Sequence, residues 1–261
     1  MKVGYFQFNP GFGKLEENRN RIKSALADVD ADLIVLPELP VSGYFLSSRE
    51  EAIKLAEPVP GPTTQLLHDI SASSGTHFVT GLLELSGDSL YNSAVLIGPD
   101  GPVTTYRKVH LFYEEKQYFS PGRGFISVNI KGVKIGILVC FDHLFPEAAR
   151  TLALRGAQII CHPSNLVLPE IAQLTTRVRA LENRVFWIMA NRCGSETKGS
   201  QTHRYTGESQ IIAPNGKIIH RSPPEGDELY ITDIDPGDAL KKNITEFNDV
   251  FEDRRTDIYR M

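Results

Sequence analysis

The stretch ILVCFDHLFPE, residues 137–147, ends an apolar run in Cys140 and then brings Asp142, His143 and Glu147 within seven residues. A thiol where a strand gives way to a helix can project from the sheet edge, while amides of the following turn point at a developing anion. That placement parallels a strand–turn–helix nucleophile elbow, without the flanking glycines of that motif. The plainer reading is a small buried hydrophobe, because free cysteine is among the most buried residue types. Of the other cysteines, Cys161 lies inside the strand-like AQIICHPS and reads as core. Cys193 precedes a Gly-Ser loop and is expected to be accessible.

A thiol near pKa 8.5 needs a base or a positive neighbour to become a competent nucleophile. His143 is the local candidate, though its position also suits a cap or a surface residue. His110 and His162 are distant alternatives for a cysteine–histidine pair. Glu38, in LIVLPELPVSGY, follows a buried strand and is held between two prolines. A carboxylate at the rim of an apolar strand can be desolvated into a general base. Lys108, in TTYRKVHLF, sits near the end of another strand; it either snorkels to solvent or presents a fixed ammonium to an oxyanion. Metal-binding spacings (C-x-x-C, H-E-x-x-H) are absent, and Gly-x-Gly after the first strand lacks the third glycine of a dinucleotide fingerprint. No metal and no cofactor are expected.

The elements that must position these residues alternate along the chain. KVGYFQF (2–8) reads as a strand, 14–29 as an amphipathic helix, and ADLIVLPE (31–38) as a buried strand stopped by Pro37. A helix is expected over 63–73, then the strands HFVTGLLE, LYNSAVLIG and, after the turn GPDG, PVTTYRKVHLF. FISVNIKGVKIGILVC (125–140) reads as a hairpin turning near Lys131-Gly132, followed by a helix over about 145–155. AQIICHPSN and VFWIMANR are strands flanking a helix at 170–184, and SQIIAPNGKIIH is a hairpin turning at Asn215-Gly216. The pattern predicts one mixed α/β domain over 1–261, with 236–261 a charged tail that needs something to pack on.

With 261 residues, 41% hydrophobic and 23% charged, the chain can bury a substantial core without cross-links. A net charge of −4 gives no field that would gather nucleic acid or anionic lipid. No apolar run approaches a membrane span, and the N-terminus lacks a signal-peptide pattern. Three widely spaced cysteines argue against a disulfide framework. A soluble, cytoplasmic protein is the expectation.

Taken in order, LPELPVSGY with Glu38, YRKVHLF with Lys108 and CFDHLFPEAARTLALRGAQII with Cys140 resemble the three signature segments of the nitrilase superfamily of carbon–nitrogen hydrolases. YNSAVLIGPDG (91–101), HPSN (162–165), RALENRVFWIMANRCG (179–194) and NDVFEDRR extend the resemblance from residue 2 nearly to the end, closest to the archaeal-type single-domain members. The resemblance implies a four-layer α-β-β-α sandwich. It also implies that Glu38 accepts the thiol proton and later activates water, and that Cys140 forms a thioester. Lys108 and the Phe141 backbone N–H would hold the oxyanion. A second glutamate beyond the lysine is implied too. Glu114 and Glu115 both fall there, and a spacing of seven favours Glu115.

Nitrilases proper usually carry Cys-Trp-Glu, whereas this chain has Cys140-Phe141-Asp142, which favours amide over nitrile hydrolysis. A small aliphatic amide is therefore the expected substrate, with nitrile or N-carbamoyl hydrolysis as alternatives and a catalytically retired scaffold as the non-enzyme one. Tyr44, Tyr113, Phe141, His143 and Asn165 are expected to line the pocket. Arg177, Arg179 and Arg184 either bind a substrate carboxylate or form an ordinary solvated or interface helix face, the reading favoured here. The resemblance also implies a homodimer or larger homo-oligomer, with the tail against a neighbour.

Overall fold

The computed structural model describes residues 1–259. The first half supplies β1 (Lys2–Gln7), β2 (Leu33–Val35), β3 (His77–Ser86), β4 (Ser89–Gly98) and β5 (Gly101–Arg107), with helices α1 (Leu15–Ala25), α2 (Arg49–Leu55) and α3 (Pro62–Ser74). The short helix α4 (Glu115–Tyr118) leads to β6 (Ser127–Ile130) and β7 (Val133–Ile137), then α5 (Pro146–Leu154), β8 (Ile159–Ser164), α6 (Ile171–Asn183) and β9 (Phe186–Asn191). Two hairpins follow, β10 (Ser195–Lys198) with β11 (Gln201–Arg204) and β12 (Gln210–Ile212) with β13 (Ile218–Arg221), and finally β14 (Glu228–Asp233).

These strands form two six-stranded mixed sheets, ordered β14-β1-β2-β3-β4-β5 and β13-β12-β9-β8-β7-β6. β1, β2 and β3 are parallel in one, and β7, β8 and β9 are parallel in the other. Such strands are covered on both faces, which explains why β2 and β8 are buried without alternation. The sheets pack face to face through Val3, Val35, Val79, Ile137, Cys161 and Ile188. On the far side of the first sheet, Ile22 and Leu67 of α1 and α3 meet Ile34, Phe78 and Val95. Helices α5 and α6 cover the second sheet, completing an α-β-β-α sandwich.

Local chemistry sets the element ends. Ser48 caps α2 by accepting from the Glu51 amide, and Pro62 and Pro146 open α3 and α5, where a missing N–H costs nothing. The hairpin turn at Lys131-Gly132 falls where expected, both residues having positive φ. Helix α1 stops at Ala25, earlier than the apolar pattern suggests. Leu26 and Val29 still pack into the core, but from outside the helix. Helix α2, the hairpin β10–β11 and strand β14 were not anticipated. Cys193 corrects the expectation of access, because it is buried and its thiol donates to the Gly226 carbonyl at 3.4 Å.

Candidate active site

Glu38 follows β2 and leaves the sheet beside β3. Gly81 makes this possible: a β-carbon there would lie 2.5 Å from the Glu38 α-carbon and 2.6 Å from the Pro37 carbonyl oxygen. The Gly81 amide donates to that same carbonyl at 3.0 Å, tying the Glu38 segment to β3. Lys108 ends β5. Its amide donates to the Asn92 carbonyl and its carbonyl accepts from Gly122, so its backbone is held on both sides.

These constraints bring the three charged groups together, fully enclosed. The Lys108 ammonium donates to Glu38 Oε1 at 2.8 Å and to Glu115 Oε1 at 2.9 Å. Asn92 of β4 bridges the same two oxygens, donating through Nδ2 at 2.6 and 2.8 Å. Glu115 Oε2 accepts from the Phe112 amide at 2.7 Å. Glu38 Oε2 is buried and has no partner among the described residues. Of the two candidate glutamates, Glu115 is the one at the lysine; Glu114 lies outside the triangle, at the wall of the neighbouring cavity.

Burial pushes the Glu38 carboxyl up, the Lys108 ammonium pulls it back, and the Glu115 charge raises it again. Burial alone would discharge Lys108, but Glu115, Glu38 and Cys140 outweigh it and hold the ammonium well above the usual lysine range. Glu38, Lys108 and Cys140 each act on the others' protonation and titrate together rather than as independent sites.

Cys140 starts a short 3-10 helix, Cys140–Leu144, separated from the end of β7 by two residues, with φ of +43°. A non-glycine residue in this left-handed region is strained and persists only when its surroundings dictate it. Here they do. The buried Asp142 carboxylate accepts from the Val139 amide at 2.9 Å and from the Tyr106 hydroxyl at 2.7 Å, closing the turn from behind. His110 adds its amide and Nδ1 to the same carboxylate, tying the lysine loop to the cysteine turn. His162 Nε2 donates to the Cys140 carbonyl at 2.8 Å. The Cys140 thiol is driven well above its ordinary pKa, chiefly by burial and then by the Glu38 charge, with Lys108 and the Asn165 amide opposing. The resting sulfur is therefore a neutral thiol that needs a base.

Among the described residues, no histidine ring nitrogen is hydrogen-bonded to the thiol. His110 is committed to Asp142, His162 to a carbonyl, and His143 Nδ1 to Thr175 Oγ1 at 2.7 Å. Burial lowers His143 to about 4 and His162 to about 3, so both are neutral near pH 7. His143 is enclosed rather than a surface cap, and Asp142 is a buried anchor, whereas Glu147 is exposed at the start of α5.

Two small cavities lie at the site, about 50 and 30 Å³; the smaller is lined by the thiol, and the larger shares Phe112, Asn165 and Val167 with it. The larger is lined by Tyr44, Tyr113, Glu115, Asn165 and, unanticipated, Phe112 and His203. Tyr113 is 71% exposed and stands at the mouth. The phenol of Tyr44 is pushed well above its usual range by burial and by Glu115, Glu38 and Cys140. The smaller cavity holds Cys140, Phe141, His143 and Asn165. The arginines of α6 line neither: Arg177 donates to the Gly216 carbonyl, Arg184 to that of Lys241, and Arg179 to Glu182 and the His143 and Leu144 carbonyls. Among the described residues, no cluster of His, Cys, Asp and Glu could hold a metal ion.

Sequence reasoning missed Asn92, though a lone amide in the apolar strand LYNSAVLIG was a usable signal. It also missed Glu196, whose carboxylate accepts from the Phe45 amide at 2.9 Å, the Tyr205 hydroxyl at 2.7 Å and the buried Arg192. The Tyr44 amide donates to it too, at 3.2 Å. The hairpin thereby fixes the loop that carries Tyr44. Nothing in CGSETKGS marks that role.

A buried thiol on a strained turn, next to a carboxylate with an open oxygen and a fixed ammonium, is equipped for covalent acyl transfer. The carbon-nitrogen hydrolase family model matches residues 2–241. A nitrilase of Pyrococcus abyssi is 40% identical over 99% of both chains, and an (R)-stereoselective amidase of Pseudomonas is 31% identical over 98% of this chain and 92% of its own. Among solved structures, a mutant of the Nesterenkonia sp. AN1 amidase, showing the result of Michael addition of acrylamide at its active-site cysteine, superposes with a TM-score of 0.81. It shares 25% identity and covers 98% of this chain and 97% of its own. The chain belongs to the carbon–nitrogen hydrolases of the nitrilase superfamily. It is an enzyme acting on carbon–nitrogen bonds other than peptide bonds.

Proposed function

We propose that the protein hydrolyses a small aliphatic amide to a carboxylic acid and ammonia through a thioester on Cys140. One observation carries this reading: Glu38 Oε1 is occupied by Lys108 and Asn92, while Oε2 is buried, without a partner among the described residues and open to take a proton. Glu38 removes the thiol proton as sulfur attacks the amide carbon. The carbonyl electron pair moves to oxygen, held by the Lys108 ammonium and the Phe141 amide. Collapse breaks the C–N bond, and the proton on Glu38 leaves with the amine as ammonia. Water then gives Glu38 a proton as its oxygen attacks the thioester, and the departing sulfur takes that proton back. Glu115 holds Lys108 in line and keeps it charged.

The small cavities agree with a small substrate, and Phe141 in place of tryptophan favours an amide over a nitrile. Nitrile hydrolysis is kept as the second reading because the Pyrococcus relative at 40% identity is named a nitrilase. Ammonia release from matched short amides, nitriles and N-carbamoyl compounds decides the matter, with Cys140→Ala as control. Turnover that survives Cys140→Ala would end the thiol mechanism. Nitriles outpacing amides would reverse the order of the two readings.

We further propose that 1–261 acts as one hydrolase domain whose stretch 236–261 meets a second copy; residues 260 and 261 lie outside the described residues. Support comes from apolar side chains left in solvent there, with Phe247 83% and Ile244 67% exposed. Light scattering of the full chain beside Phe247→Ser/Ile244→Ser tests it. A monomeric wild type would refute it.

A further inference from the structure

The smaller cavity carries information about which amide would enter. Its walls are mostly apolar, with Phe141, Leu144, Leu166 and Ile171 among them, and only Asn165 and His143 bring polar side chains besides the thiol. Asn165 is 3% exposed, and neither its Oδ1 nor its Nδ2 has a hydrogen-bond partner among the described residues. A buried amide left unpaired at both ends costs a few kcal/mol, about 1–3 per group, unless a ligand completes it. Asn165 lines both cavities, at their junction beside the thiol.

His143 adds a fixed polarity. Thr175 Oγ1 lies 2.8 Å from the Ile171 carbonyl and 2.7 Å from His143 Nδ1; with its proton donated to the carbonyl, it accepts from Nδ1. In that arrangement Nδ1 carries the imidazole proton, and Nε2 is an acceptor with no partner within the described residues. Burial keeps the ring neutral, consistent with that tautomer. Among the described residues, no lysine or arginine lines this cavity. Lys108 is held by two glutamates, and Arg179 is turned to backbone carbonyls and Glu182.

We propose that this cavity is a recognition subsite for the substrate end remote from the scissile bond, selecting a neutral group that both donates and accepts hydrogen bonds. A second carboxamide at the end of a short chain fits best. Its N–H₂ would reach His143 Nε2 and Asn165 Oδ1, and its carbonyl would accept from Asn165 Nδ2. An alkyl end leaves Asn165 unpaired. A carboxylate would meet the bare acceptor and be desolvated without a counter-charge, and an ammonium would also be buried with no opposite charge on the cavity wall. This inference rests on Cys140 being the reacting residue.

The test compares four short amides of similar shape, butanediamide, 4-methylpentanamide, 4-amino-4-oxobutanoate and 4-aminobutanamide. Binding is measured on Cys140→Ala protein by ligand-observed NMR, and kcat/KM on the unmodified enzyme. The diamide should bind at least about tenfold tighter than each of the others. His143→Leu or Asn165→Ala should cut its advantage over 4-methylpentanamide to below about threefold, while His143→Gln, which keeps an acceptor, should restore part of it. Either of the first two variants suffices if the other fails to fold. Equal or tighter binding of the carboxylate, ammonium or branched alkyl compound overturns the inference, as does an advantage unchanged in both variants, or no measurable binding of the diamide. Because binding is read without turnover, the preference can hold even if amide hydrolysis proves not to be the reaction.

Discussion

Gly81 lies directly against the backbone of Glu38, with room for a hydrogen but not for a methyl group: an added β-carbon would sit 2.5 Å from the Glu38 α-carbon and equally near the Leu39 nitrogen. Both close atoms are backbone, so the clash cannot be relieved by turning a side chain. Gly81→Ala should push the Glu38 segment off β3. Overpacking of this kind costs about 1–3 kcal/mol, and displacing a reacting group by an ångström costs about a hundredfold in rate. Chemical denaturation and kcat/KM measured on the same variant check this. A variant with wild-type activity would show that Glu38 is not held by this contact.

Asn92 should set the acid side of the pH profile. As the proposed base Glu38 works only when ionised, and burial raises its pKa, so activity should be lost as pH falls through a value above the ordinary 4.5. The Asn92 amide opposes that rise by donating to Glu38 Oε1. In Asn92→Ala the acid limb of kcat/KM should move to higher pH and the plateau should fall by roughly ten- to a hundredfold. A limb that stays in place or moves down would show that Asn92 does not support the ionised form.

Glu38→Gln preserves shape but removes the proposed base. Loss of general base catalysis is expected to reduce kcat by about 10²–10⁴-fold. Any thioester trapped from an activated ester should then persist, since the proposed deacylation uses the same carboxylate. Mass spectrometry of the intact protein reads the adduct at Cys140. Rapid release of the acyl group in Glu38→Gln would assign the water-activating role elsewhere.

The buried imidazoles predict a stability loss in mild acid. His143 and His162 have folded pKa values lowered to about 4 and about 3, against about 6.5 when exposed. A depressed histidine contributes stability that is fully present above 6.5 and declines as pH falls toward the folded value, by up to about 1.4 kcal/mol per pH unit for each group. Urea midpoints should therefore fall between pH 6.5 and pH 4, and His143→Asn should make that slope shallower. A midpoint that stays flat across this range would show that the rings are hydrated when folded.

The hairpin β10–β11 holds the loop of Tyr44 through Glu196 and the fully buried Arg192. Glu196→Gln strands a buried guanidinium, a loss typically of about 3–5 kcal/mol. The melting temperature should drop, and KM should rise more than kcat falls, because Tyr44 lines the cavity rather than the bond-making triangle. Wild-type KM would detach the hairpin from substrate binding.

The parts of this molecule that were legible beforehand are those whose chemistry is local. Glu38 between prolines, Lys108 at a strand end and Cys140 at a strand-to-helix junction each carry a mark in the residues around them, and three buried strands read as continuous apolar runs. The spacing that separated Glu115 from Glu114 was informative because a short helix follows the lysine. Legibility failed where the relationship is long-range. The contact of Gly81 with Glu38 spans two strands that pair in parallel, and Glu196 reaches back about 150 residues to amides at Tyr44 and Phe45. Helix α6 shows another limit. Leu174 and Val178 recur at helical spacing, yet Leu174 is 63% exposed and Val178 lies outside the core, while Ala172, Thr176 and Ala180 turn inward. Periodicity located the helix, but small residues chose its inner face.

The backbone at Cys140 is held at a φ that any glycine would adopt without effort, and Glu38 keeps one oxygen unbonded in the dark of the interior. Both are tensions the fold sustains rather than relieves. Random drift therefore has an easy downhill direction here: exchanging the thiol for glycine, or the acid for a compact apolar residue, would relax the chain while silencing it. Retaining both residues in one molecule means that folding and reactivity pull in opposite directions at this turn, and that reactivity has prevailed.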